Sequence, residues 1–268
     1  MKVSGARVLL TGATGGIGHA LARALHDGGA QLLLTGRRLD VLTPLAAELG
    51  ARAIAADLSV RDDVERLGVE AADVDILIAN AALPASGHLL DLSQTQIDTM
   101  LEVNLRAPIA LARALAPAMV QRGRGHIVFI SSLSGKAASP ATSVYSAAKF
   151  GLRGFAHGAR ADLRGTGVGV SVILPGFVRD AGMFADTSVK LPPGVGTSSP
   201  EQVASAVITA IERDRGELSV APLGLRLGAN VAAVAPGVSA FAQRLAGGAH
   251  IARRVSARQA GKRPDDRP

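Results

Sequence analysis

The sequence predicts an α/β domain in which a parallel sheet of about seven strands is doubly wound, with helices on both faces. Apolar runs of strand length alternate with helical stretches through most of the chain, the pattern of repeated βα units. A glycine-rich turn opens the first helix. The 268 residues fit one core, because single cores grow to about 250–300 residues before chains divide. Hydrophobic residues make up 48% of the chain and aromatics only 3%, so Ala, Val, Leu and Ile must fill that core.

In chain order, strands are expected at 7–10, 31–34, 53–56, 75–79, 126–130, 169–174 and 218–221. These runs are apolar enough for a sheet covered on both sides. Helical patterns lie between them at 16–27, 41–49, 61–69, 94–121, 143–163 and 201–213. The last follows Pro200, which a helix start tolerates because first-turn N–H groups have no intrahelical partner. Segment 180–199 is rich in Gly, Pro, Thr and Ser and too long for an ordinary connection, so it is expected to be a substrate-side loop. Phe177, Met183, Phe184, Val189, Leu191 and Val195 in and beside it suit an apolar or amphipathic ligand. The expected division is a catalytic unit over 1–224, loop included, and a helical extension with a basic tail over 225–268.

The formal net charge is +7, and from Arg244 onward seven cations face two carboxylates, so five of the seven net charges lie there. The body is therefore near neutral. With few aromatics and no binding motif, no nucleic-acid partner is expected. Segment 227–243 carries no charge, but Asn230, Pro236 and two glycines argue against a membrane-spanning helix. Two readings stay open there: a helix packed on the body, and an interfacial anchor held by the arginines that follow. The absence of cysteine excludes disulfides and a thiolate nucleophile, and fits a cytoplasmic protein. The six histidines show no metal-ligand spacing, so no metal is expected. Serine hydrolysis lacks its G-x-S-x-G elbow.

Thr11-Gly12-Ala13-Thr14-Gly15-Gly16-Ile17-Gly18 joins the first strand to the first helix. A turn there lets backbone approach a phosphate, and the helix N-terminus offers N–H groups and positive potential. Gly12, Thr14, Gly16, Ile17 and Gly18 are thus expected to cradle a dinucleotide on a sheet of the Rossmann type. His19 lies either near the phosphate or on the helix surface. An NAD-preferring site places an acid after the second strand to bond the ribose 2′-hydroxyl. Here Thr35-Gly36-Arg37-Arg38 stands in its place, and the Arg37 guanidinium can hold a 2′-phosphate with charge-assisted bonds. NADP(H) is therefore expected over NAD(H).

Tyr145, the only tyrosine, and Lys149 are four residues apart in a helical stretch, so both emerge on one face. A free phenol titrates near about 10, and bringing it to about 7 takes roughly 4 kcal/mol. One ammonium about 4 Å away, at an effective dielectric of about 20, supplies roughly that amount. The pair is expected to act as an acid tuned downward by its neighbour.

With these motifs the chain resembles the short-chain dehydrogenase/reductase family in its compact one-domain form, from about Ala6 to Val220. The family's TGxxxGxG motif falls on Thr11 to Gly18, and its YxxxK motif on Tyr145-Ser146-Ala147-Ala148-Lys149. The resemblance implies a catalytic serine at Ser132, with Ser131 as the near alternative, and a catalytic asparagine at Asn104. It implies cofactor contacts at Asp57 and Leu58, at Asn80, at Tyr145 and Lys149, and at Pro175, Gly176 and Val178. It implies hydride transfer between the nicotinamide and a carbonyl or secondary alcohol. In that reaction Tyr145 passes the proton, Ser132 bonds the substrate oxygen, Lys149 also binds the nicotinamide ribose, and Asn104 holds a water. It implies a homodimer or homotetramer built through the Tyr145 helix, which carries Gly151, Gly154, Ala156 and Gly158.

Two positions depart from the family pattern. Ala79-Asn80-Ala81-Ala82 stands where NNAG is usual, and Pro175-Gly176-Phe177-Val178-Arg179-Asp180 ends in Asp rather than Thr. Both touch cofactor geometry rather than reaction class. The rival reading is a regulator of the same fold that binds NADP(H) without turnover; it needs the glycine cradle but none of the four catalytic residues.

Overall fold

In a computed structural model of the chain, residues 1–84, 87–180 and 196–238 are described. Seven strands form one parallel sheet: β1 (Arg7–Thr11), β2 (Gln31–Gly36), β3 (Arg52–Ala55), β4 (Ile76–Ala79), β5 (Gly125–Ile130), β6 (Val168–Pro175) and β7 (Glu217–Val220). Their order across the sheet is β3-β2-β1-β4-β5-β6-β7. The chain runs outward one way from β1 and then the other way from β4, so the crevice between those strands is the topological switch point where such sheets take ligands. All seven expected strands are present, displaced by no more than one or two residues at an end.

The helices are α1 (Gly16–Asp27), α2 (Leu39–Glu48), α3 (Arg61–Glu70), α4 (Gln94–Leu101), α5 (Ala107–Gln121), α6 (Ser143–Asp162), α7 (Pro200–Glu212) and α8 (Leu223–Val234). Side chains alternate along each strand, which divides the interior into two layers. Val8, Leu10, Leu34, Ile76, Ile78 and Val128 pack with Leu21, Leu25, Leu42 and Val207 of α1, α2 and α7. Leu9, Leu77, Ile127, Phe129 and Val172 pack on the other side with Leu67, Leu111, Leu115 and Leu152 of α3, α5 and α6. Phe129 meets Phe155 edge to face at 5.6 Å, one of the few aromatic contacts available to so aromatic-poor a core.

The single helix expected over 94–121 is a correction. Ser93 caps α4 through a capping box with Gln96, and the helix then passes through a π-turn, Glu102–Arg106, before α5 begins. The cause is legible: Pro108 has no N–H to give the carbonyl of Asn104 four residues earlier, and the Ala107 N–H instead closes a wider ring onto the Glu102 carbonyl. The C-terminal helix α8 starts four residues before the uncharged stretch and buries only Ala229 and Ala232. Of the expected substrate loop, Asp180 and residues 196–199 are described; the rest of it, and the basic tail from 239, lie outside the described residues. Among the described residues no helix is long and apolar enough to cross a membrane.

Candidate active site

The carboxyl ends of β1, β4, β5 and β6 carry the residues singled out by sequence. After β1 the chain turns at Gly12, whose φ of +67° favours glycine and whose added Cβ would lie 2.7 Å from Ala81 Cα. A Cβ on Gly18 would meet the Gly12 carbonyl at 2.1 Å, so α1 can start this close to the turn only with glycine there. Gly15 stands at the N-cap of α1 with no side chain capping the helix and no acid in its first turn. Its first N–H groups are thus left for an anion.

Asn80 braces this turn: its amide donates to the Thr11 and Gly12 carbonyls at 3.0 and 3.2 Å, and the Asn80 and Ala81 N–H groups both donate to Thr11 Oγ1. Ala81, which keeps the family's alanine, packs against Gly12, and the bracing by Asn80 is intact although Ala79 stands where the family has its first Asn. The Thr14 carbonyl accepts from Arg38, and Gly36 lies under the Thr14 methyl. Arg37 is half-exposed, 3.5 Å from Asp57. Burial opposes ionisation of Asp57, yet two bonds from Ser59 and the nearby Arg37 hold its carboxyl below the usual range. Leu58 is buried in the core, leaving only its main chain to face a ligand.

Two buried side-chain atoms among the described residues lack a hydrogen-bond partner, His19 Nε2 and Thr35 Oγ1, and both adjoin this turn. Burial first, then Arg23 and Arg38, push His19 below its ordinary range, so it is neutral beside two guanidiniums. A cradle that admits no Cβ, an uncapped helix N-terminus and these orphaned atoms fit a dinucleotide.

On the other side of the switch point, β5 ends at Ile130 and delivers Ser131 and Ser132. Ser131 Oγ donates to the Lys149 carbonyl at 3.0 Å and is buried, so it ties the strand to α6. Ser132 Oγ accepts from the Ser134 N–H at 3.1 Å, and its hydroxyl is near enough to the Tyr145 phenol to favour the phenolate. Of the two serines, Ser131 spends its hydroxyl on the Lys149 carbonyl while Ser132 adjoins the phenol. Lys149 Nζ donates to the Ile130 carbonyl at 3.0 Å and lies 5.6 Å from the Tyr145 ring centroid.

The expected tuning of the phenol is overturned. Burial pushes Tyr145 up to about 12, against the opposing bond from Ser132. Burial likewise brings Lys149 down to about 8. Desolvating the phenolate costs more than the neighbouring Ser132 hydroxyl returns.

Asn104 is fully buried in the π-turn, and its carboxamide is committed at both ends: Oδ1 accepts from the Leu83 N–H at 2.7 Å and Nδ2 donates to the Leu83 carbonyl at 3.0 Å. It clamps the chain after β4. Its main-chain carbonyl loses the usual helical donor, since Pro108 four residues on has no N–H. Sequence reading missed this, although Pro108 four residues on was the signal. Gly176, after β6, lies under Ala221 and Leu133, and Val178 pairs with Ser198. Asp180 has a φ of +63° and its exposed carboxylate pairs with Arg179 at 3.3 Å.

Known proteins show the same pattern. The sequence profile of the short chain dehydrogenase family matches residues 6–191. Ketoacyl reductase HetN of Nostoc sp. is 38% identical over 227 residues, covering 81% of this chain and 79% of that protein. A solved metagenomic short-chain oxidoreductase in complex with NADP superposes with a TM-score of 0.70 at 32% identity, covering 81% of this chain and 97% of its own. A short-chain dehydrogenase from Sphingobium yanoikuyae in complex with NADPH gives 0.75 at 28% identity, covering 90% and 95%.

Proposed function

The chain belongs to the short-chain dehydrogenase family of NAD(P)-dependent oxidoreductases, and from that membership we propose that it reduces a ketone or aldehyde with NADP(H), Tyr145 passing the proton. One observation carries the reading: the Tyr145 phenol lies beside the Ser132 hydroxyl with Lys149 5.6 Å from its ring, at the carboxyl end of the sheet. When bound, the nicotinamide supplies the hydride. Ser132 and Tyr145 hold the substrate oxygen between two hydroxyls, and the phenolic proton goes to that oxygen as it gains charge. Lys149, Tyr145, Pro175, Gly176 and Val178 are assigned to the nicotinamide end; Gly12, Thr14, Gly16, Ile17, Gly18 and Asn80 to the phosphates; Asp57 and the Leu58 main chain to adenine. A water in the proton path belongs to the Asn104 carbonyl rather than to its amide.

At neutral pH the Tyr145 phenol rests protonated, the form that donates to the substrate oxygen during reduction. NADP(H) preference is supported by Arg37 and Arg38 where an acid would read an unphosphorylated ribose, and by neighbours solved with NADP and NADPH. The ketoacyl reductase relative makes a ketoacyl-type ketone the first substrate to try. Open space beside Gly154 and Gly158 on α6 supports assembly of copies through that helix. The division at about 224 and a cytosolic location complete the reading.

The test is NADPH consumption with a carbonyl panel, in the protein and in Arg37→Ala. Turnover with at least one ketone is expected. Arg37→Ala is expected to raise the Michaelis constant for NADPH about tenfold, the loss of one charge-assisted contact, and to leave that for NADH unchanged. Stronger use of NADH by the unmodified protein would sink the cofactor assignment, and no turnover with any carbonyl would favour a non-catalytic binder.

A further inference from the structure

Helix α8 is built the wrong way round for a surface helix. Such helices bury their large apolar side chains and leave small or polar ones outside. In α8 the side chains turned inward are Ala229, Ala232 and the partly buried Leu225, while Leu223, Leu227, Val231 and Val234 are all more than half exposed. At about 100° per residue those four fall within roughly 80° of arc, opposite the two alanines. Val238, just beyond, is exposed too.

The helix also stands off from the sheet. Its polar tie to the body is Asn230, whose Oδ1 accepts from Lys136 Nζ at 3.0 Å while the same ammonium pairs with Glu217 at 2.6 Å. Between α8, α7 and the edge strand β7 is an open cavity of about 690 Å³, lined in part by Gln202, Thr209, Ser219 and Arg226. An apolar stripe held at arm's length from its own core is a surface to be covered by something else.

Charge identifies what. From Leu218 to Pro264 the sequence has no Asp or Glu, whereas Arg226, Arg244, Arg253, Arg254, Arg258, Lys262 and Arg263 all fall within it. An isologous pairing of two copies through α8 would bring like charge against like charge. An anionic bilayer instead offers a hydrocarbon layer for the stripe and phosphates for the cations. At twelve residues α8 is about 18 Å long, too short to span and long enough to lie in the interface. We propose that α8, with the cationic segment after it, docks this protein on an anionic lipid surface.

Sedimentation of the full chain with vesicles tests this. In 50 mM salt, vesicles of phosphatidylcholine with about one third phosphatidylglycerol are expected to bind at least tenfold more protein than pure phosphatidylcholine, and 500 mM salt is expected to abolish the difference. Leu227→Ser/Val231→Ser changes two side chains that lie on the exposed face of α8. It is expected to keep the melting temperature and NADPH binding while losing at least tenfold in vesicle binding. No binding to anionic vesicles overturns the proposal. Equal binding by the double variant overturns it as well, since the tail alone would then account for the attraction. Loss of a dimer in the variant, without vesicle binding by the parent, assigns the stripe to a second copy instead.

Discussion

A cluster of polar side chains, each built around buried members, stands at either end of β5 and β6, and the two clusters are made of similar parts. At the carboxyl end stand Ser132, Tyr145 and Lys149. At the amino end His126 Nε2 lies 2.7 Å from Ser171 Oγ, and Arg160 forms a two-pronged bond to Asp214. By residue type the second cluster, with Ser, His and Asp, is the better candidate for catalysis. Its geometry says otherwise. Ser171 is wholly buried and its hydroxyl donates to the Arg215 carbonyl at 2.7 Å, so the imidazole must give its own N–H to that oxygen and cannot take a proton from it. An added Cβ at Gly169 would lie 2.4 Å from the His126 ring and 2.7 Å from Asp214. Nothing the size of a substrate enters. Chemistry at the carboxyl end depends on access and on which way protons point, not on having more reactive residue types.

The contrast can be broken most sharply with paired variants. Tyr145→Phe is expected to lower kcat by about 10²–10⁴-fold with no fall in Tm. His126→Asn should keep turnover per folded molecule and lose stability. A folded His126→Asn protein without activity would show that the amino-end cluster serves more than the fold.

The next effect is on acid stability. Burial holds His126 down to about 4, whereas the unfolded chain takes up the proton near its ordinary 6.5. Above that value the imidazole is neutral in both states and the fold keeps its full stability. Between it and about 4 the unfolded state alone is protonated, so stability falls with pH by about 3 kcal/mol in all. Urea midpoints measured across this range should show the loss in the parent and little of it in His126→Asn.

Gly169→Ala should cost about 1–3 kcal/mol by crowding the His126 ring, read as a lower Tm, with kcat unchanged. The last effect is a pH dependence at the carboxyl end. With Lys149 brought down to about 8, kcat/KM for reduction should decline above that pH, by about tenfold for each further pH unit. A flat profile from pH 7 to 9.5 would mean that the ammonium charge is not needed in the free enzyme.

Much of this was legible beforehand because it rests on local rules. The glycine turn has to precede a helix, the Tyr145–Lys149 spacing has to place both on one face, and seven apolar runs have to be strands if helices separate them. The roles of Ser131 and Ser132 were not separable in the same way, since adjacent residues at a strand end point apart only once α6 is packed against them. Asn104 was found, but its clamp on Leu83, twenty-one positions away, depends on a contact that no local pattern encodes.

The sequence by itself determined the fold class, the order of the strands and the placement of the glycine turn and of Tyr145 and Lys149 on one helix, because periodicity, glycine placement and helical spacing act over a few residues. Only the tertiary structure decided their physical state. Tyr145 was expected to be tuned downward by its lysine and is instead pushed up to about 12, because desolvation is set by everything packed around a group rather than by its partner. The same holds for α8: its composition is visible in the chain, but which of its sides meets the body is settled by packing, and packing turned four of its large apolar side chains out.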